Sequence, residues 1–145
     1  MKIAVAGDHG GYDLKEEVKK YLVGRGIEVL DLGTDSGESV DYPYYGKKCA
    51  EAIAAGEAER GIAFCGTGIG ISIAANKIKG IRCALCTDVN MAELARQHND
   101  ANMLALGGRT TERDAALAIV ETWLDTGFDG GERHQRRVSM LNDMG

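Results

Sequence analysis

The chain has 145 residues and a formal net charge of −5, and its 44% hydrophobic and 27% charged content suits one globular domain with a sizeable core. That acidic balance, relieved by no basic tract, argues against a nucleic-acid surface, and no apolar run approaches the roughly 20 residues of a membrane span. Four cysteines in no disulfide-rich layout, with no signal-peptide pattern at the start, fit a reducing cytoplasm.

Lys2 to Ala6 reads as a short strand that breaks at Gly7-Asp8-His9-Gly10-Gly11. A helix follows with Leu14, Val18 and Leu22 on one face, and it stops at Gly24-Arg25-Gly26. Ile27 to Leu32 is a second strand. The glycine-rich, acidic stretch from Gly33 to Asp41 is a loop, and Tyr42-Pro43 opens a helix through Cys49 and Ile53 to Gly56. The third strand runs from Gly61 to Cys65. Glycines at alternate positions follow it, Gly66, Gly68 and Gly70, and then a small-residue helix from Ile71 to Lys77. Ile81 to Cys86 is a fourth strand. Asp88 is an N-cap candidate for a helix that carries Met91, Leu94, Ala95 and His98 on one face. Met103 to Leu106 is a fifth strand, and Thr111-Glu112 opens a helix with Ala116, Ile119, Val120, Trp123 and Leu124. From Asp129 the tail reads as a short helix beginning near Glu132.

Five alternations of strand and helix predict a three-layer α/β/α, Rossmann-like domain with a five-stranded parallel sheet and a C-terminal helical tail. Such sheets bind ligands outside the carboxyl ends of their strands. Asp8-His9 and the Cys65–Gly70 loop fall on that one edge.

The glycine loop is the strongest chemical signal. Strand, glycine loop and helix start bring unpaired amides to one spot, which suits an anion, and Cys65 stands where those amides would stabilise a thiolate. Counting excludes the familiar motifs. The third glycine of a dinucleotide fingerprint would fall on Ile71 or Ile73, and no Gly-Lys-Ser/Thr closes a P-loop. A cysteine phosphatase would place an arginine where Ile71 stands. The blander reading is that the glycines permit a tight turn, with Cys65 as a small buried residue.

Asp8 and His9 read either as pocket residues or as a loop cap beside an exposed histidine. His98 reads either as a histidine satisfied by its helix or as a proton carrier in the polar run His98-Asn99-Asp100. In Arg133-His134-Gln135-Arg136-Arg137 the first and last arginines are four apart, so one helical face presents both. They suit a phosphate or an ordinary solvated face. Arg109, after two glycines, is a third phosphate donor candidate. Cys83 and Cys86, three apart on a strand, point to opposite faces and make no redox pair. Cys49 reads as helix core, and no second ligand pair supports a zinc site.

Taken together, Asp8-His9-Gly10-Gly11, Asp41-Tyr42-Pro43, the block from Cys65 to Lys77, Arg96 to Asn102 and Arg133 to Arg137 closely resemble type B ribose-5-phosphate isomerases, relatives of the galactose-6-phosphate isomerase subunits. The resemblance runs through essentially the whole chain. It implies interconversion of ribose 5-phosphate and ribulose 5-phosphate through an enediolate, without cofactor or metal. It places catalysis on Cys65 as the carbon base, on His98 for ring opening and proton donation, and on Thr67. Substrate contacts are implied at Asp8, His9, Tyr42, Gly66, Gly68, Ile69 and Gly70, and further at Asn99, Arg109, Arg133 and Arg137. Ile71 fills the place where some members carry a glutamate base. Glu132 separates Gly130-Gly131 from the arginine motif, and the four-residue spacing selects Arg137 over Arg136. Two other readings stand beside this one. One is the same chemistry on allose or galactose 6-phosphate, and the other is a phosphosugar-binding module without turnover.

Topology adds an expectation about assembly. Cys65 ends a strand, whereas His98 ends a helix returning to begin the next strand, so the two belong to opposite edges of the sheet. A two-fold homodimer, or a dimer of dimers, would bring them together in a site shared across the interface, with the tail packing on a partner.

Overall fold

The computed structural model describes all 145 residues. β1 (Lys2–Gly7), α1 (Tyr12–Gly24), β2 (Glu28–Asp31), α2 (Tyr42–Ala54), β3 (Arg60–Cys65) and α3 (Ile69–Ala75) form the first half. β4 (Cys83–Leu85), α4 (Val89–Asn99), β5 (Met103–Gly107), α5 (Arg113–Asp125) and α6 (Glu132–Asp143) complete the chain. The five strands are all parallel, in the order β2-β1-β3-β5-β4. From β1 the chain first steps outward to β2 and then returns past β1 to β3. Strand order therefore reverses between β1 and β3, which is where such a sheet opens a crevice at its carboxyl edge.

Alternation along the strands divides the core in two. Ile3, Val5, Ile62, Phe64, Leu104 and Leu106 face α1, α4 and α5, around the fully buried Trp123. Ala4, Ala6, Ala63, Cys65 and Ala105 face α2 and α3. The second face is almost all alanine, so its helices lie close to the sheet. Gly46 on α2 lets that helix press on Ile71 and Ala74, where a methyl group would sit 2.9 Å from the Ile71 side chain.

Three elements differ from the sequence reading. β4 spans three residues rather than six. It is an edge strand with β5 as its one neighbour, and Ile81 before it closes a turn on Ile78. α3 starts two residues early, at Ile69, because Gly68 adopts the left-handed conformation (φ 78°) and turns the chain directly into the helix. On α4 the buried residues are Ala92, Ala95 and Arg96, whereas Met91, Leu94 and His98 are exposed. Small alanines let α4 sit tightly on the sheet and α5, which turns the larger apolar stripe outward. Asp88 does cap α4, accepting the Met91 amide at 2.8 Å. The tail helix α6 begins at Glu132 as read and lies against its own α4, with Val138 as its buried residue.

Candidate active site

The register of β1 on β3, Gly7 opposite Phe64, brings the loops after both strands together. The Asp8 amide donates to the Phe64 carbonyl at 3.0 Å, and the Gly108 amide after β5 donates to the Cys65 carbonyl at 2.8 Å. Asp8 is buried, and its Oδ1 accepts the Gly11 amide at 3.1 Å, which closes the β1–α1 turn. The other carboxylate oxygen has no partner within the chain.

At the foot of the crevice lies Cys65, 4% exposed, its Sγ accepting the Gly68 N–H at 3.2 Å. The Thr67 hydroxyl oxygen accepts the Ile69 amide at 3.2 Å, so its own proton is free to be donated. Gly70 is glycine because the Tyr42 ring packs against it, where a methyl group would be 2.5 Å from a ring carbon. Asp8, Tyr42, Cys65, Gly66, Thr67, Ile69, Gly70 and Ile73 line an open cleft of about 440 Å³. Ile73, one helical turn beyond Ile69, is the lining residue that the sequence reading did not single out.

Two further residues stand at this edge. His9 Nδ1 accepts the Val40 amide at 3.1 Å, so a neutral His9 carries its proton on Nε2. Arg109 lies against Gly66, its guanidinium 3.3 Å from where a Gly66 Cβ would be, and it has no carboxylate partner. The remaining cysteines are different. Burial pushes the Cys49 thiol up to about 12 and Cys86 up to about 11, and it pushes Cys83 up as well. All four are free, and Cys65 alone opens onto the cleft.

His98, Asn99, Arg133 and Arg137 are not brought to this cleft. Asn99 ends α4 four residues before Met103, and Met103 starts β5 in register with Gly61, whereas Cys65 is in register with Gly107. Four strand residues alone span about 13 Å. The His98-Asn99-Asp100 turn is held firmly at the amino edge. Asp100 takes the left-handed conformation (φ 46°). Buried Arg96 donates to the Asp100 carboxylate at 2.8 Å and to the Ala101 carbonyl at 2.9 Å, while Arg82 donates to the Asn99 and Asp100 carbonyls. On α6, Arg133 and Arg137 are exposed on a face shared with Met140. Arg136 is exposed too.

A parallel doubly wound sheet, with a thiol held among loop amides at its switch point and no nucleotide fingerprint, is an α/β enzyme scaffold for a small anionic substrate. Residues 3–141 match the family model described as Ribose/Galactose Isomerase, and the chain belongs to that family. It is 51% identical over 140 residues to ribose-5-phosphate isomerase B of Escherichia coli, covering 97% of this chain and 93% of the relative. Among solved structures, Clostridium thermocellum ribose-5-phosphate isomerase B superposes with a TM-score of 0.97 at 57% identity, over 99% of this chain and 96% of that one. The ribose 5-phosphate isomerase of Thermotoga maritima superposes with a TM-score of 0.95 at 55% identity, over 99% and 98%.

Proposed function

We propose that the protein interconverts ribose 5-phosphate and ribulose 5-phosphate, with Cys65 as the base. The observation that carries this reading is the Cys65 thiol at the foot of the cleft, with the Gly68 amide on its sulfur and the free Thr67 hydroxyl beside it. On the open-chain aldose, the Cys65 thiolate takes the proton from C2. The electron pair moves through the C1–C2 bond onto O1, giving an enediolate. Thr67 and the loop amides supply hydrogen bonds to the developing oxyanion, each such donor being worth roughly 3 kcal/mol. The O2 proton then passes to O1, and the O2 electron pair closes the C2–O2 double bond. The C1–C2 double-bond pair takes the proton back from the thiol at C1, which regenerates the thiolate. Asp8 holds sugar hydroxyls through its unpartnered oxygen, and His9 donates from Nε2.

His98 opens the ring and reaches the Cys65 cleft from a second copy of the chain, in a homodimer with two identical shared sites. Arg109, with Arg133 and Arg137 of the partner subunit, holds the phosphate. Such remote binding energy positions C1 and C2 at the base. The four free cysteines suit a reducing compartment such as the cytoplasm. The test is turnover of ribose 5-phosphate, allose 6-phosphate and galactose 6-phosphate side by side with EDTA present. The expected outcome is the highest kcat/KM on ribose 5-phosphate. A preference for a hexose phosphate reassigns the substrate, and phosphate-dependent binding without turnover of any would make the protein a binding module.

A further inference from the structure

His98 projects from the exposed end of α4, and neither ring nitrogen makes a hydrogen bond within the chain. What holds the ring is His134. The two imidazoles lie face to face, with centroids 4.4 Å apart and planes 8° from parallel. His134 comes from the first turn of α6, its side chain 21% exposed, and its Nε2 lies 3.7 Å from the Asp129 carboxylate. The Asp129 amide is fixed in turn to the Gln97 carbonyl of α4 at 3.0 Å. A closed loop of contacts thus runs from α4 through Asp129 and His134 back to the His98 ring.

An exposed histidine with no such contact samples its rotamers in picoseconds to nanoseconds. A stacked one keeps its plane and leaves both nitrogens at the ring edge, open to substrate. We propose that His134 is a positioning residue for the isomerisation, and that its ring face sets the orientation in which His98 transfers protons. The inference rests on the role given to His98 above. A proton carrier must sit within hydrogen-bond reach of its partner atom, and displacements of about 1 Å can cost a hundredfold in rate. Arg133 and Arg137 flank His134 on the same helix, so α6 would deliver the phosphate contacts and the orientation of His98 as one unit.

The test is a set of variants at position 134 read by kinetics and by histidine NMR. His134→Ala should lower kcat about tenfold or more with little change in KM, and it should move the His98 ring protons downfield as the ring current of the stack is lost. His134→Phe keeps a flat ring and should restore both. Because His134 acts through His98, adding His134→Ala to a His98→Ala protein should cost nothing further. Unchanged kcat in His134→Ala, no rescue by His134→Phe, or an undiminished loss in the His98→Ala background would each overturn the inference. Normal turnover in His98→Ala alone would instead overturn the role of His98 itself, and the two failures are told apart by that single variant. Circular dichroism and melting of each variant separate a folding defect from a positioning one.

Discussion

At the scale of single residues, one thiol out of four differs from the rest in its surroundings. Cys49, Cys83 and Cys86 are held as thiols by burial, whereas Cys65 accepts an amide and faces a cleft. Cys65→Ala should lower kcat at least about 10²-fold, the low end for loss of a positioned base. Folding should be nearly unaffected, because the side chain is small and its one hydrogen bond comes from a loop amide. Near-normal turnover would sink the assignment. Charge recognition can be tested in the same way on α6. Arg133 and Arg137 share one face and Arg136 lies off to its side, so Arg133→Ala and Arg137→Ala should each weaken substrate and inorganic phosphate by about tenfold or more. Arg136→Ala should weaken both far less. If Arg136→Ala is the damaging change and Arg137→Ala is silent, the register chosen past Glu132 is wrong.

At the scale of elements, the loop from Gly33 to Asp41 depends on a charge cluster beneath it. Lys15 is 1% exposed on a helix face otherwise made of Leu14, Val18 and Leu22, and its ammonium meets both Asp31 oxygens at 3.0 and 3.1 Å. Asp31 also accepts Lys19 at 2.9 Å and the Gly33 amide at 3.0 Å, which starts the loop whose Val40 amide fixes His9. Burial pushes the Asp31 carboxyl up, but hydrogen bonds from Lys19, Gly33 and Lys15 outweigh it and leave the group below its ordinary value of 3.8. A carboxylate lowered by folding adds stability that is fully present above 3.8 and is lost as pH falls through the lowered value. Melting temperature followed from pH 6 downward should therefore drop more steeply in wild type than in a Lys15→Met, Asp31→Asn double variant. Asp31→Asn alone leaves the Lys15 ammonium with Glu16, at 3.2 Å, as its remaining carboxylate partner and should lower the melting temperature at neutral pH. A single variant as stable as wild type would show that the pair is not needed. None of this was legible from the sequence, because the contact between Lys15 and Asp31 exists only once α1 packs beside β2. The alternating strands, the glycine loop and the opposed faces of Cys83 and Cys86 were legible, because periodicity and turn chemistry are local. The orientation of α4 was not, since a stripe of Met91, Leu94 and His98 says that something covers it without saying what. The stack of His134 on His98 was hidden for the same reason, because it exists only once α6 folds back on α4.

At the scale of the whole molecule, the separation of Cys65 from His98 is the fact that demands explanation. One lies at the carboxyl edge of the sheet and the other at the amino edge, with four residues of strand between their registers. No rotation of side chains closes such a gap. The surfaces beside each half-site are unusually apolar for exposed positions. Ile69 and Ile73 are 53% and 55% exposed beside the cleft, and Met91 and Leu94 on α4, with Met140 on α6 and Met144 just past its end, are exposed on the His98 side. A two-fold pairing that laid one half-site on the other would cover both sets at once and repeat each contact twice, as an isologous interface does. The decisive experiment is to unfold Cys65→Ala and His98→Ala proteins, each expected to lose most of its activity alone, and refold them together. In the shared-site dimer half of the randomly formed pairs are mixed, and each mixed pair holds one intact site and one carrying both lesions. Activity should therefore return to about a quarter of wild type. If both residues act within one chain, every site carries a lesion whatever the pairing, and the mixture stays dead.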